Sequence, residues 1–356
     1  MIDSGNRKKI LFIVEAMGGG VFTYTVDLAN ALSKTYDMYV AYAVRPQTPT
    51  DYKEYFDPTV ELIEVKSFTR AINPIKDIKA VFEVRRIARA VKPDFIHLHS
   101  SKAGFIGRIA FNGKRIPLFY TPHGYSFLME NEKAPKRILF KAIEKVCAKR
   151  RCTTISCSYG EHQETLRLTD KAIYVNNGIN TGELEVILEK VENIDHPFTV
   201  YTLGRICYQK NPKLFNEIAL AMPDTSFLWI GDGELRKELR SSNIEITGWL
   251  DRKEALSRCF NADVFLLTSL WEGLPISLLE AMYMKKLCVV SNVIGNRDVI
   301  NNGKNGFVCE KIADFVKAIK TKRISIVENA LEDVMNVYNS EVMAEKYIGI
   351  YEGKTV

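Results

Sequence analysis

Short apolar runs alternate with amphipathic stretches along almost the whole of this 356-residue chain, and they do so in two successive blocks. In the first block the strand-like "KILFIVEA" leads into the helical spacing of "VFTYTVDLANALSK" and then into "MYVAYAV". "IKDIKAVFEVRRIARAV", "DFIHLHS", "SKAGFIGRIAFNG" and "PLFYTPHG" continue the alternation, and "TTISCS", "YGEHQETLRL" and "AIYVNNG" complete it. "ELEVILEKVENIDHP" breaks the pattern, and "FTVYTLGRI" restarts it, through "SFLWIGDGELRKELR", "IEITGWL", "ADVFLLTSL", "LCVVSNV" and "GFVCEKIADFVKAIK". Strands separated by helices pair in parallel through crossovers. The chain is therefore expected to be α/β, with two Rossmann-like parallel-sheet domains facing a cleft. The first should cover 1–178 and the second 197–339, with a linker at 179–196 inside the hinge region Asn176 to Pro197. The final "SEVMAEKYIGIYEG" reads as an amphipathic helix, within 340–356, that packs back on the first domain.

Ligands of such folds sit outside the carboxyl ends of the strands, and the polar oddities cluster there. Gly18–Gly20 follow the first strand, "HLHSSK" and "TPHG" follow two later ones, and Gly204–Arg205 and "GDG" (Gly231–Gly233) follow strands of the second block. "WEGLPISLLEA" sets Glu272 and Glu280 eight positions apart around a Gly-Leu-Pro turn. Pro275 suits the first helical position, where a missing N–H costs nothing, and the first-turn amides are then free to meet an anion. Helical side chains lean toward the N-terminus, so Glu280 points toward the opening that Glu272 borders. Pro275 to Glu280 spans roughly 7.5 Å of helix, close to the length of a nucleotide diphosphate. The spacing suits a ligand with hydroxyls at both ends and negative charge between. It also suits an ordinary amphipathic helix with a glutamate near its start.

The charge is uneven. Between Lys66 and Arg151, 20 Lys and Arg stand against 6 Asp and Glu, a local balance of +14, so the remainder carries −8 of the overall +6. Such asymmetry points to an anionic partner, whether a membrane surface, a phosphorylated lipid or nucleic acid. No nucleic-acid module is visible, so no nucleic-acid partner is expected. "APKRILFKAIEKVCAKRR" interleaves Lys136, Arg137, Lys141, Lys145 and Lys149 with Ile138, Leu139, Ile143 and Val146. A helix of this kind either lies on an anionic lipid surface or packs its apolar side on the sheet and leaves the lysines in water. No run approaches 18 consecutive apolar residues, and the charged start runs directly into a strand, unlike a secretory signal. Seven scattered cysteines, without a Cys-x-x-Cys pair, argue against disulfides and zinc and for a reducing cytosol.

Each remaining motif has two readings. Gly18–Gly20 allow a close backbone approach to phosphate or serve a tight turn; they do not form Gly-x-Gly-x-x-Gly, which disfavours a nicotinamide dehydrogenase. Arg205 and Lys210 in "GRICYQKNP" can neutralise a diphosphate and charge developing on it, or be surface cations. His123 in "TPHGYSF" can donate to a sugar hydroxyl or transfer a proton, or be structural. His97 and His99 share one face of a strand without companions at metal-ligand spacing, so no catalytic metal is expected.

Taken together, "VNNGIN", "GRICYQKNP", "WIGDGELRKEL", "GWL", "EGLPISLLEA" and "GKNGFV", in this order along the chain, resemble the GT-B retaining glycosyltransferases of family 4. "HLHSSKAGFIGRIA" and "TPHGYSF" look most like bacterial enzymes that assemble capsule, exopolysaccharide or O-antigen units. The resemblance implies that Glu272, His123, Arg205 and Lys210 are catalytic. Glu272 would bind donor-sugar hydroxyls, with Gly273, Leu274, Pro275 and Ile276 beside it, and Glu280 would bind the ribose. Gly204, Arg205 and Lys210 would hold the diphosphate, the backbone around Trp249 would meet the base, and Gly19 and Gly20 would line the cleft. His99, Ser101 and Lys102 fall on the acceptor side. The implied reaction moves a hexosyl or N-acetylhexosaminyl unit, with retention and without cofactor or metal, from a nucleotide-sugar, first of all a UDP-sugar. The implied acceptor is a polyprenyl-diphosphate-linked saccharide, and the implied location is cytoplasmic, peripheral at the anionic inner face of the plasma membrane. Rhamnosyl or mannosyl transfer from dTDP-rhamnose or GDP-mannose, and a nucleotide-sugar 2-epimerase of the same fold, stand as alternatives. Two departures from the family pattern bear on the donor: "IGNRDVI" (Asn296, Asp298) replaces a frequent Gly-Gly-x-x-Glu segment, and Asn211 replaces a frequent glycine after Lys210.

Overall fold

The computed structural model describes residues 7–354 apart from 16, 46, 70–72, 130–132 and 322–323. The chain divides into a first unit, which runs through Asn177 (residues 129–131 excepted) and recovers the segment from Met343, and a second unit of Gly178–Val342.

The first unit holds strands β1 (Lys9–Val14), β2 (Asp37–Tyr42), β3 (Glu61–Glu64), β4 (Phe95–His99), β5 (Leu118–Thr121), β6 (Thr153–Ser156) and β7 (Ala172–Tyr174). They form one parallel sheet in the order β3-β2-β1-β4-β5-β6-β7, which reverses direction between β1 and β4. A parallel sheet is covered on both faces, so its strands are apolar on both sides. Ile10, Phe12 and Val14 of β1 face the core shared with helices Gly19–Ser33 and Ser340–Tyr351, while Leu11 and Ile13 face helices Pro74–Val91 and Ser101–Ala110. Helix Pro74–Val91 has sharp local limits. Asn73 caps it by accepting from the Lys76 amide at 3.0 Å, Pro74 opens it, and Lys92 ends it in the left-handed region.

The second unit holds β8 (Thr199–Leu203), β9 (Ser226–Ile230), β10 (Ile244–Ile246), β11 (Val264–Leu267), β12 (Leu287–Ser291) and β13 (Phe307–Cys309). They are parallel in the order β10-β9-β8-β11-β12-β13, reversing between β8 and β11. These switch points mark the strand ends where ligands of doubly wound sheets bind.

The architecture differs from the sequence reading in its linker and in several elements. Residues 179–196 are not a free linker: Gly178 onward belongs to the second unit, and Thr181–Leu188 is a helix capped by Asn180. Strand β3 and helix Ile324–Asn336 are additional elements. The C-terminal helix is Ser340–Tyr351, with Tyr347 and Tyr351 buried in the first unit's core; the last two positions of the expected span, 355–356, lie outside the described residues.

Candidate active site

In the second unit three loops at the carboxyl ends of β8, β11 and β12 are tied into one cradle. Thr268, just past β11, donates its hydroxyl to the Lys210 carbonyl at 2.8 Å, and Ser291 at the end of β12 donates to the Ser269 carbonyl at 2.5 Å. These bonds fix the turn that carries Glu272, itself 7% exposed. Glu272 Oε1 accepts from Lys210 Nζ at 2.8 Å and Ser269 Oγ at 2.6 Å, and Oε2 from Gln209 Nε2 at 3.2 Å. Lys210 and Glu272, 62 residues apart, are therefore one charged pair.

The helix after this turn is Ile276–Tyr283, and Pro275 is its N-cap rather than its first helical residue. The ring fixes φ at −76°, while ψ at 123° stays extended, so the helix begins one position later. No side chain caps this end and its first turn holds no acidic residue, so its leading amides are oriented for an anion. Glu280, one and a half turns in, is 3% exposed. Its Oε1 accepts from Arg252 Nη1 at 2.8 Å, and Arg252 Nε also reaches Glu183 at 3.2 Å. Arg252 starts a helix capped by Asp251, directly after the turn that displays Trp249, a residue 61% exposed.

Arg205 projects from the end of β8 and pairs with Glu234 of the "GDGE" turn at 2.9 Å, both side chains open to solvent. An exposed pair of this kind is weak, so the guanidinium is held in place yet can exchange Glu234 for a phosphate. Asn211 stands at φ 52°, ψ 61°, a conformation reached routinely only by Gly, Asn and Asp, and its side chain caps helix Pro212–Leu220. The departure from glycine therefore preserves the turn. Gly295 of "IGNRDVI" has φ +85°, and a Cβ there would stand 2.6 Å from the Gly273 carbonyl oxygen and 3.0 Å from Glu272 Cβ. This loop abuts the glutamate turn, with Asn296 buried against Ser291 and Asp298 accepting the Gly295 amide at 3.0 Å.

In the first unit the histidines form a ladder. His97 bonds Tyr351 at 2.7 Å and Thr121 at 2.9 Å; His99 Nδ1 lies 3.2 Å from His123 Nε2, with the two rings stacked. Burial drives all three below the ordinary histidine range, His123 to about 3, so all are neutral at physiological pH. His99 is fully buried beneath His123 and cannot itself touch an acceptor. Lys102 is committed to Asp77 at 2.6 Å, and the neighbouring Ser101 is half-buried. Gly19 has φ +56° with open space where a side chain would stand, Gly20 continues the first turn of helix Gly19–Ser33, and Gly18 caps it without a side chain. Beside this turn the buried Glu15 is ion-paired with Arg45, neither of which stands out in the sequence. Among the described residues no group of three or more His, Cys, Asp or Glu side chains is arranged to hold a metal ion.

Two parallel-sheet units with such strand-end clusters define a GT-B glycosyltransferase, and comparison with known proteins makes the assignment. The profile "Glycosyl transferases group 1" matches residues 197–322, and "Glycosyltransferase Family 4" matches 18–183. A relative from Escherichia coli, UDP-Gal:alpha-D-GlcNAc-diphosphoundecaprenol alpha-1,3-galactosyltransferase, is 31% identical over 340 residues, covering 84% of this chain and 85% of its own. A Campylobacter jejuni relative, N,N'-diacetylbacillosaminyl-diphospho-undecaprenol alpha-1,3-N-acetylgalactosaminyltransferase, is 24% identical over 94% of this chain and 96% of its own. The chain belongs to the family 4, group 1 glycosyltransferases and is an enzyme of that class. Solved structures share the fold: sucrose-phosphate synthase from Thermosynechococcus elongatus has a TM-score of 0.81 at 16% identity, covering 98% of this chain and 99% of its own. HepE of Anabaena, in complex with UDP and glucose, has a TM-score of 0.77 at 18% identity, covering 97% of this chain and all of its own.

Proposed function

We propose that this enzyme transfers a hexosyl or N-acetylhexosaminyl unit from a UDP-sugar to a polyprenyl-diphosphate-linked saccharide during bacterial surface polysaccharide synthesis. One arrangement carries the donor half. Two buried glutamates, Glu272 and Glu280, flank an uncapped helix N-terminus, and Arg205 and Lys210 stand on the loop after β8, which Thr268 ties to the glutamate turn. Glu272 binds sugar hydroxyls, Glu280 the ribose, and the backbone around Trp249 the base. The helix amides, Arg205 and Lys210 take the diphosphate, and Gly273–Ile276 supply backbone around it. The acceptor half is supported by the relatives, whose own acceptors are diphosphoundecaprenol-linked sugars.

The chemistry follows from these charges. As the bond from the anomeric carbon to the diphosphate oxygen breaks, Arg205 and Lys210 stabilise the charge left on phosphate. The acceptor hydroxyl bonds to the anomeric carbon on the same face and passes its proton to the departing oxygen, which retains the anomeric configuration. His123 meets the donor sugar as a neutral hydrogen-bond group. No metal enters this route. The decisive assay offers UDP-galactose, UDP-N-acetylgalactosamine, dTDP-rhamnose and GDP-mannose to a short prenyl-diphosphate-linked sugar. Extension from a UDP donor supports the reading, extension only from another donor corrects the base, and an epimerised donor without extension replaces the reaction.

We also propose a peripheral position at the cytoplasmic face of the membrane. Helices Pro74–Val91, Ser101–Ala110 and Ala134–Cys147 lie on one side of the first sheet. Outward from them stand two apolar stripes, Ile75, Ile78 and Phe82 on one helix and Ile138, Leu139 and Val146 on another, each residue 52–70% exposed. Lys136, Lys141, Lys145 and Lys149 flank the second stripe, so a lipid interface with anionic headgroups matches both its apolar and its charged parts. The helix is anchored from behind: Glu144 pairs with Arg108 at 2.7 Å and accepts from the Tyr120 hydroxyl at 3.0 Å. Co-sedimentation with phosphatidylglycerol vesicles should be lost with Val146→Glu and with high salt. Binding that is indifferent to both overturns this placement.

A further inference from the structure

His123 has φ +56° and Gly124 follows at +90°, so two successive residues occupy the left-handed region between β5 and the next turn. A histidine there costs on the order of 1 kcal/mol and persists only where surrounding structure enforces it. The enforcing group is the carboxylate of Glu161, 37 residues away and 1% exposed. Its Oε1 accepts the Gly124 amide at 2.6 Å and its Oε2 accepts the Cys157 amide at 2.8 Å.

The local sequence makes this choice of partners informative. Ser158 and Glu161 spell Ser-x-x-Glu at the start of helix Tyr159–Leu166, and Ser158 accepts the Glu161 amide at 3.2 Å as an N-cap does. In a capping box the glutamate reaches back to the N-cap amide. Here the carboxylate turns instead to the two loops, clamping the end of β6 to the residue after His123. The ring is fixed as well, stacked on His99 and met edge-on by Tyr24, whose hydroxyl bonds Tyr347 at 2.6 Å.

We infer that Glu161 is a positioning residue for His123: its carboxylate holds the Gly124 amide and thereby sets the backbone that aims the imidazole. The inference rests on the reading of His123 as a group that meets the donor sugar. Glu161 itself is too buried to touch substrate.

A double-mutant cycle on the full chain tests it, with UDP-sugar and a short prenyl-diphosphate-linked acceptor. Glu161→Gln replaces one acceptor oxygen with an amide nitrogen that cannot accept, so one of the two backbone N–H groups loses its partner. Small misplacements of a reacting group cost up to about a hundredfold; kcat should fall roughly ten- to a hundredfold with the donor KM nearly unchanged. In a His123→Ala background the same substitution should cost almost nothing more. Equal losses in both backgrounds, or an undiminished kcat in Glu161→Gln, overturn the inference and leave the role of His123 standing. A near-normal kcat in His123→Ala alone overturns that role instead. Should Glu161→Gln fail to fold, Glu161→Asp keeps the charge but shortens the reach, and the same non-additivity is expected; additive losses overturn the inference.

Discussion

Lys210 Nζ lies 2.8 Å from Glu272 Oε1, so the cation assigned to the leaving diphosphate and the carboxylate assigned to the sugar are already in contact in the free protein. The pair is organised before substrate arrives: Ser269 and Gln209 hold Glu272, and Thr268 holds the Lys210 backbone. In the proposed site, donor binding then needs little reorganisation of this pair, whereas Arg205 has to leave Glu234.

Lys210→Ala should cost about 2–4 kcal/mol of transition-state stabilisation in kcat/KM, as should Arg205→Ala. The two should differ in stability. Lys210→Ala strips a buried carboxylate of its cation and should lower the unfolding free energy by about 1–3 kcal/mol. Arg205→Ala breaks only an exposed pair and should leave it almost unchanged. Steady-state kinetics and urea unfolding check both, and near-normal turnover in both variants would remove them from the diphosphate site.

Glu280→Ala should weaken UDP binding roughly ten- to a hundredfold, the worth of one charge-assisted hydrogen bond of about 1.5–3 kcal/mol. Calorimetric titration with UDP reads this directly. Unchanged affinity would mean that Glu280 serves only Arg252.

Acid should unfold the first unit partly through its histidines. Burial lowers His97, His99 and His123, the last to about 3, whereas an unfolded histidine titrates near its ordinary value of 6.5. Below that value the unfolded chain binds more protons than the folded one, so stability rises with pH up to about 6.5 and is lost as pH falls. His123 alone should account for about 2 kcal/mol between its ordinary range and pH 5. Glu161, whose carboxyl burial pushes up, acts in the opposite direction. The difference between wild type and His123→Phe in urea unfolding at pH 5 and pH 7 isolates the histidine; equal pH slopes would contradict its burial as a neutral ring.

Glu144→Ala should destabilise the first unit by about 3–5 kcal/mol, because it strands Arg108, 2% exposed, without its carboxylate. An unchanged melting temperature would show that this pair does not anchor the basic helix.

Much of this architecture is legible in the chain because period and punctuation agree. Every strand of the second sheet appears in the sequence as a short apolar run, and Glu272 and Glu280 announce themselves by their spacing around Gly-Leu-Pro. Strand β3 escapes because "ELIE" is four residues long and its burial leaves both glutamates exposed at a sheet edge. The linker reading fails because polar "NTGELEVILEK" hides a helix whose only fully buried residue is Leu184. What the sequence conceals above all is support. Ser269 lies close to Glu272, but Gln209 is 63 residues from it, Arg252 is 28 from Glu280, and Glu161 is 37 from Gly124. Such partners have no local period, because the topology alone brings strand ends together.

The most direct test of the whole account is a single transfer assay with EDTA present. Purified enzyme is mixed with UDP-galactose or UDP-N-acetylgalactosamine and a short prenyl-diphosphate-linked acceptor, and products are read by mass and by the anomeric NMR signal. The account predicts an acceptor longer by one sugar, joined with the donor's α configuration, and an equal amount of UDP. An inverted linkage, an unextended acceptor with every donor, or activity abolished by EDTA would contradict it.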